Sequence, residues 1–366
     1  MRAMKHPFRL CAMFFVLLSG LANAQGFRLV HADIHTSSLL PDGRQMRVLD
    51  GNVHGVRDTL QLYCDYAEFF DVDEAVRLSG NLRIISPSME IQSARGRLNN
   101  RMRNIIFIEE VIYRNGERYL YTDSLVYFFD EEMAEAHGNV VTFNPEDSST
   151  VFADKGIAWP QENRFIFREN ARYVRPDKDD SLTIDAGNFY YSEVAKNRIM
   201  SATGKVQIRQ DKLWARSDSA AFLMDQNLVQ LFREPIALYE LQELVGDTLE
   251  LITNAETGDP ETLFLRGNAE VTSPEDSTRS RDNYLSGFTI EARLQNKKME
   301  WVEARDNAIS IYYFTQDSSR EGGNRASADT IRLFFNENEV DSVAIRGGVE
   351  GTYLPEKLVD QIKNDK

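Results

Sequence analysis

The chain has 366 residues, with 42 Lys or Arg against 57 Asp or Glu and a net charge of −15. A surface this acidic repels nucleic acid and anionic membrane faces, and it argues against capturing an anionic ligand by its phosphates. The length suffices for a substantial core, so neither of the two cysteines, Cys11 and Cys64, is needed for a stabilising disulfide.

In chain order, residues 1–24 read as a secretory signal peptide. Arg2, Lys5 and Arg9 precede an apolar run from Leu10 to Leu18, and Ala22-Asn23-Ala24 supplies a small-x-small exit before Gln25. The run is too short to span a bilayer as a helix. Cys11 would leave with this leader, which leaves Cys64 as a lone thiol in a strand-like Leu-Tyr-Cys-Asp-Tyr context, where burial is expected.

From Gly51 onward one phrase recurs: Gly, Glu or Asp, then Asn or an equivalent, then a small or aliphatic residue. It reads Gly51-Asn52-Val53, Gly80-Asn81-Leu82, Glu109-Glu110-Val111, Gly138-Asn139-Val140 and Glu169-Asn170-Ala171. It continues as Gly204-Lys205-Val206, Glu234-Pro235-Ile236, Gly267-Asn268-Ala269, Asp306-Asn307-Ala308 and Gly347-Gly348-Val349. The starts lie 29, 29, 29, 31, 35, 30, 33, 39 and 41 residues apart. Self-similarity at such a period marks stacked repeats that share one core. Between phrases, runs of alternating polarity such as Val76-Arg77-Leu78 and Leu82-Arg83-Ile84 predict strands with one wet and one dry face. Three short strands per unit are expected, with 240–262 as an insertion and Pro355–Lys363 as the only segment with helical potential. The strand and turn pattern fits either a jelly roll with an open seam or a closed β-helix.

No constellation for catalysis emerges, and no metal or cofactor site is expected. His31-Ala32-Asp33-Ile34-His35 would place two imidazoles and a carboxylate on one strand face, but polar residues on the wet side of an edge strand explain them as well. Asp65, Asp123, Asp154, Asp185, Asp218 and Asp329 recur once per unit. A catalytic carboxylate pair occurs once, so these are read as structural, bonding backbone groups. The glycines that open the units are read as turn or bulge positions.

The grammar of these units resembles the OstA-like family of lipopolysaccharide-transport proteins. Asp306 to Phe314, followed by Asn324-Arg325-Ala326-Ser327, Ile331 to Phe335 and Gly351-Thr352-Tyr353-Leu354-Pro355, is most similar to the branch found in Bacteroidota. The resemblance spans nearly all of residues 28–355. It implies an elongated open β jelly roll over 25–355, built from about ten units of 29–41 residues and ending in a polar tail at 356–366. It further implies a periplasmic, outer-membrane-associated carrier that shields lipopolysaccharide acyl chains in a groove and docks edge to edge with like proteins or itself. The lining then expected is Val53, Leu82, Ile84, Val111, Tyr113, Val140, Val206, Ile208, Ile236 and Leu238, unless these merely fill a closed core. The exposed edges are expected near Phe27–Ile34 and Val340–Gly351. A structural or adhesive repeat protein and a carbohydrate-active β-solenoid enzyme are the competing classes. A sealed interior would favour the first, a transverse acidic cleft the second.

Overall fold

The computed structural model describes residues 27–70, 75–176, 181–195, 197–255, 258–274, 281–296, 298–316, 319–336 and 339–359. The expected leader lies outside them. The chain runs through β1 (Arg28–His31), β2 (Ile34–Leu39), β3 (Gln45–Arg57), β4 (Leu60–Phe70), β5 (Ala75–Ile85) and β6 (Met89–Asn99). There follow β7 (Asn104–Asn115), β8 (Arg118–Phe128), β9 (Met133–Asn144), β10 (Ser149–Trp159), β11 (Arg164–Pro176) and β12 (Ser181–Val194). Next come β13 (Asn197–Gln210), β14 (Leu213–Leu223), β15 (Leu228–Phe232), β16 (Ile236–Tyr239), β17 (Gln242–Val245) and β18 (Thr248–Thr253). The last are β19 (Pro260–Pro274), β20 (Asp282–Gln295), β21 (Lys298–Gln316), β22 (Ser319–Asn336), β23 (Glu339–Arg346) and β24 (Glu350–Pro355). Every pairing among the described strands is antiparallel and links near neighbours in sequence, giving one 24-stranded sheet. Four rungs are broken in two: β1 with β2, β15 with β16, β17 with β18, and β23 with β24. Counting these whole, and at the usual strand spacing of about 4.8 Å, the ladder is on the order of 90 Å long.

Each recurring phrase is a corner. Gly80 and Asn81 have φ of 74° and 47°, and the same left-handed pair recurs at Gly51-Asn52, Glu109-Glu110, Gly138-Asn139 and Glu169-Asn170. It recurs again at Gly204-Lys205, Gly267-Asn268, Asp306-Asn307 and Gly347-Gly348. Two successive residues of that hand bend the strand, and the register jumps there, from Ser79 to Leu82 on β5 and from Ile108 to Val111 on β7. The inward face resumes four residues on, at Leu78 then Leu82 and at Phe107 then Val111, all buried. A unit is therefore two long strands, each bent once, where three short ones were expected. The seventh corner falls on Arg233-Glu234, one residue before the expected phrase, because Pro235 with its fixed negative φ cannot be left-handed. Residues 240–262 are no insertion either: β17 and β18 form an ordinary bent rung between β15/β16 and β19.

The recurring aspartates clasp these corners from the preceding rung. Asn52, Asn81, Asn139 and Asn170 donate their side-chain amides to Asp33, Asp65, Asp123 and Asp154 at 2.7–2.9 Å. Asp218 holds Arg233 at 2.8 Å, and the Asp329 amide donates to the Gly347 carbonyl at 2.8 Å. Asp185 departs from the pattern: it faces Arg172 and Arg209, and Gly187 stands against Gly204 in its stead. Asp33 also accepts from His31 at 3.0 Å. The pentapeptide singled out above is thus a corner clasp, split between β1 and β2, and no group of three or more His, Cys, Asp or Glu among the described residues is arranged to hold a metal ion.

Bending every rung along one line folds the sheet into two leaves. The lower leaf holds β1, β16, β17, β24, the C-terminal halves of β3, β5, β7, β9, β11, β13, β19 and β21, and the halves paired to them. The remaining halves, with β2, β15, β18 and β23, form the upper leaf. Their inner faces meet in one continuous apolar core. Cys64 lies in it, and burial pushes its thiol pKa up to about 12. The long side opposite the corners is a seam between two rows of hairpin turns. Both ends of the ladder are strands paired on one side only, β1/β2 and β23/β24, as expected. Beyond β24, residues 356–359 make a single 3-10 turn, and Val359 packs fully buried on the outer face of the lower leaf against Ile311, Tyr313, Tyr284 and Leu354. The rest of the expected helical tail lies outside the described residues. No helix among the described residues is long and apolar enough to cross a membrane.

The clasps predict unequal costs for two glycine substitutions. A methyl group at Gly80 would collide with the Asp65 carboxylate, whereas one at Gly43, also left-handed at φ 85°, would meet nothing within 4 Å. Gly43→Ala should cost about 1 kcal/mol through backbone strain alone. Gly80→Ala should cost about 2–4 kcal/mol, because it also breaks the clasp. Urea midpoints of the two variants, at equal m, would rank them.

Candidate functional site

Along the seam the two leaves are not equally close. Near the N-terminus they are latched. Arg57, at the inner end of β3 on the lower leaf, lies with its guanidinium carbon 4.4 Å above the Phe129 ring of the upper leaf. Its Nη2 is 3.5 Å from Asp130, which also takes Arg103 at 2.6 Å. Phe27 from the lower leaf and Tyr127 from the upper each meet Phe129 edge to face at 5.6 Å. Burial, and then the neighbouring Arg103 charge, lower the pKa of Arg57. Aromatic contact and one shared carboxylate offset that cost and close this stretch of seam.

Past the latch the leaves part into a cleft of about 360 Å³, within the usual range of roughly 300–1,000 Å³ for ligand pockets. Its cause is a block of very small side chains. On the inner face of the upper leaf Ala134 pairs with Ala158 and Ala136 with Gly156 across β9 and β10. Four neighbouring positions thus reach no further than Cβ. Leu125 on one side and Phe165 and Phe167 on the other form the walls, and Tyr113 and Leu120 of the lower leaf face the gap. The mouth is polar: Asn115, Glu117, Arg118, Asn144, Glu146, Asn163 and Glu193 stand at the hairpin turns around it. The Tyr113 phenol, buried and accepting from Asn115 at 3.4 Å, is held well above its ordinary pKa by burial. It stays neutral and contributes no charge to the floor. An apolar floor under a charged rim sorts an amphiphile by polarity: hydrocarbon inside, polar groups at the mouth.

The residues expected to line a groove fare unevenly. Val53, Leu82, Ile84, Val111, Val140, Val206 and Ile208 face inward but are buried in the closed core, none above 6 % exposed. Tyr113 alone of the ten borders the cleft. Ile236 and Leu238 face the wrong way. The corner at Arg233-Glu234 shifts the alternation, so Ala237 pairs with inward Ala215 and is itself buried, while its two neighbours pair with Arg216 and Trp214 on the outer face. The reading from sequence sought large aliphatics and so missed Ala134, Ala136, Gly156 and Ala158, although the Ala-x-Ala and Gly-x-Ala spacing within strands was there to be seen.

Residues 25–185 match the family model described as OstA-like protein, so the resemblance to that family is borne out over this segment. Among solved structures, the chain is similar to LptH of Pseudomonas aeruginosa, described as the LptA-homologous periplasmic component of the conserved lipopolysaccharide transport device. The likeness covers 39 % of this chain and 95 % of that one at 15 % identity, with a TM-score of 0.31. No curated protein matches the chain.

Filling the cleft gives a direct check. Ala136→Phe should occupy the gap between Leu125 and Phe167 with a small change in stability, since the volume is already there. It should cut uptake of an apolar fluorescent probe such as N-phenylnaphthylamine at least fivefold. Leu82→Met, in the closed core, should leave uptake unchanged.

Proposed function

We propose that this chain, with OstA-like residues 25–185 at its head, is a periplasmic carrier of lipopolysaccharide on the way to the outer membrane. In this reading it takes the lipid's acyl chains between its leaves and catalyses nothing. The single observation that carries the reading is the cleft between β7 and β12, with its hydrocarbon floor and polar rim on an open seam. Each methylene removed from water is worth about 0.8 kcal/mol, so a few buried carbons stabilise the bound lipid without a tight, specific site. The net charge of −15 fits capture by hydrocarbon rather than by phosphate. The closed core around Leu82 and Ile84 is what an adhesive repeat protein would have throughout, and the cleft is what favours a carrier. The unpaired edges β1/β2 and β23/β24 are read as docking strands for a second copy or a like protein, since an exposed edge is a template for strand addition. Leu29, Val30 and Ile34 at one end and Val343 at the other are exposed apolar residues on those edges.

A photo-crosslinking amino acid placed in cells at Tyr113 or Leu120, which border the cleft, should capture lipopolysaccharide, and one at outward Arg83 should not. Equal labelling at the three positions would remove the carrier reading. For the edges, Leu29→Pro and Val343→Pro should each abolish end-to-end association in sedimentation velocity while the far-ultraviolet spectrum is retained. Association unchanged in both variants would leave the edges without a docking role.

A further inference from the structure

The outer face of the lower leaf carries a feature that the carrier reading does not use. Across four adjacent strands, Ile112, Tyr121, Val141 and Phe152 sit in successive cross-strand register, with Tyr119 paired to Phe143 two residues along β8 and β9. Tyr121, Phe143 and Phe152 are 47 %, 37 % and 40 % exposed. Nearer the N-terminus the same face reads Tyr63, Arg83 and Gln92 in register, then Gln61, Ile85 and Glu90, an ordinary polar mixture. At the far end a comparable outer patch, Tyr284, Ile311 and Tyr313, is covered by the chain's own Val359. The patch at Tyr121 has no such cover among the described residues, and contiguous exposed apolar surface of this kind marks an interaction site.

Two observations point to the kind of partner. First, the patch is continuous with the cleft mouth: Tyr119 borders both, and Thr142 and Asn144 of the same strands line the cleft. Second, beyond Phe152 the surface sinks into a broad open depression edged by Asn170, Arg172, Asp185 and Lys205. Aromatic faces beside planar amide, guanidinium and carboxylate groups are what a sugar needs. Its C–H faces pack on the rings, and its hydroxyls bond the polar groups. Such contact requires no net charge, which suits an acidic protein.

We propose that this outer face is a binding surface for the saccharide portion of the same amphiphile. Its chain would enter the cleft, and its sugars would turn over the rim at Asn115–Arg118 onto Tyr119, Tyr121 and Phe152. The inference rests on the carrier reading for its ligand.

The test titrates core oligosaccharide released from lipopolysaccharide, which has no acyl chains, into the full chain and into a Tyr121→Ser, Phe152→Ser variant. A cleft crosslinker at Tyr113 is carried in parallel in both proteins. The wild-type chain should bind the oligosaccharide and the variant should bind it at least tenfold more weakly, while lipid capture at Tyr113 persists in both. Absence of oligosaccharide binding by the wild-type chain, or equal binding by the two, would overturn the proposal. A dimer in the wild-type chain that the variant loses would also overturn it, marking the patch as a contact between copies. Loss of lipid capture at Tyr113 in both proteins would sink the carrier reading instead, leaving the oligosaccharide result to stand by itself.

Discussion

The structure depends on a backbone constraint: two consecutive residues in the left-handed region, once on every second rung. A flat ladder of this length would expose both faces and twist without closing. The paired left-handed residues bend each rung at the same point, and because neighbouring rungs bend in register the whole sheet creases along one line. The constraint explains the chemistry of the phrase. Glycine and asparagine tolerate that conformation best, and a carboxylate on the preceding rung fixes the asparagine that results. At Glu109-Glu110 neither residue is favoured, and Arg95 from the neighbouring rung pairs with Glu109. The crease also allows a single sheet to have an inside.

What fills that inside decides whether the seam is shut. From β3 to β8 the inward positions are mostly Leu, Ile, Val and Phe, and the leaves meet. From β9 onward alanine recurs on the inner faces, at Ala134, Ala136, Ala153, Ala158 and Ala171 among others. Where four small residues adjoin on β9 and β10, the leaves cannot reach each other and the cleft results. The latch at Arg57 and Phe129 lies beside it, so the molecule passes from bolted to parted within a few rungs.

Much of this was legible in the sequence. The intervals between phrases located nine of the ten corners, and alternation gave the inward face correctly at Val53, Leu82, Ile84, Val111, Val140, Val206 and Ile208. The seventh corner was misplaced by one residue, because a glutamate followed by proline imitates the phrase while proline is barred from the conformation the phrase encodes. That slip alone turned Ile236 and Leu238 inside out, as a one-residue shift must in a strand. The cleft was not legible for a different reason. Space in a core is made by what side chains lack, and two alanines on one strand open a gap only when the neighbouring strand also presents small residues opposite them. That pairing depends on register, which the turns set and composition does not.

The corner between β12 and β13 is built differently from most others. Asp185 is drawn off to Arg172 and Arg209, and Gly187 and Gly204 touch backbone to backbone where elsewhere a carboxylate grips an amide. A crease fastened by main chain and one long amide contact, from Asn188 to the Thr203 hydroxyl at 3.5 Å, resists splaying less than one pinned by a carboxylate. The two leaves are therefore held at a fixed angle less firmly here than at the clasped corners, about where the OstA-like match ends.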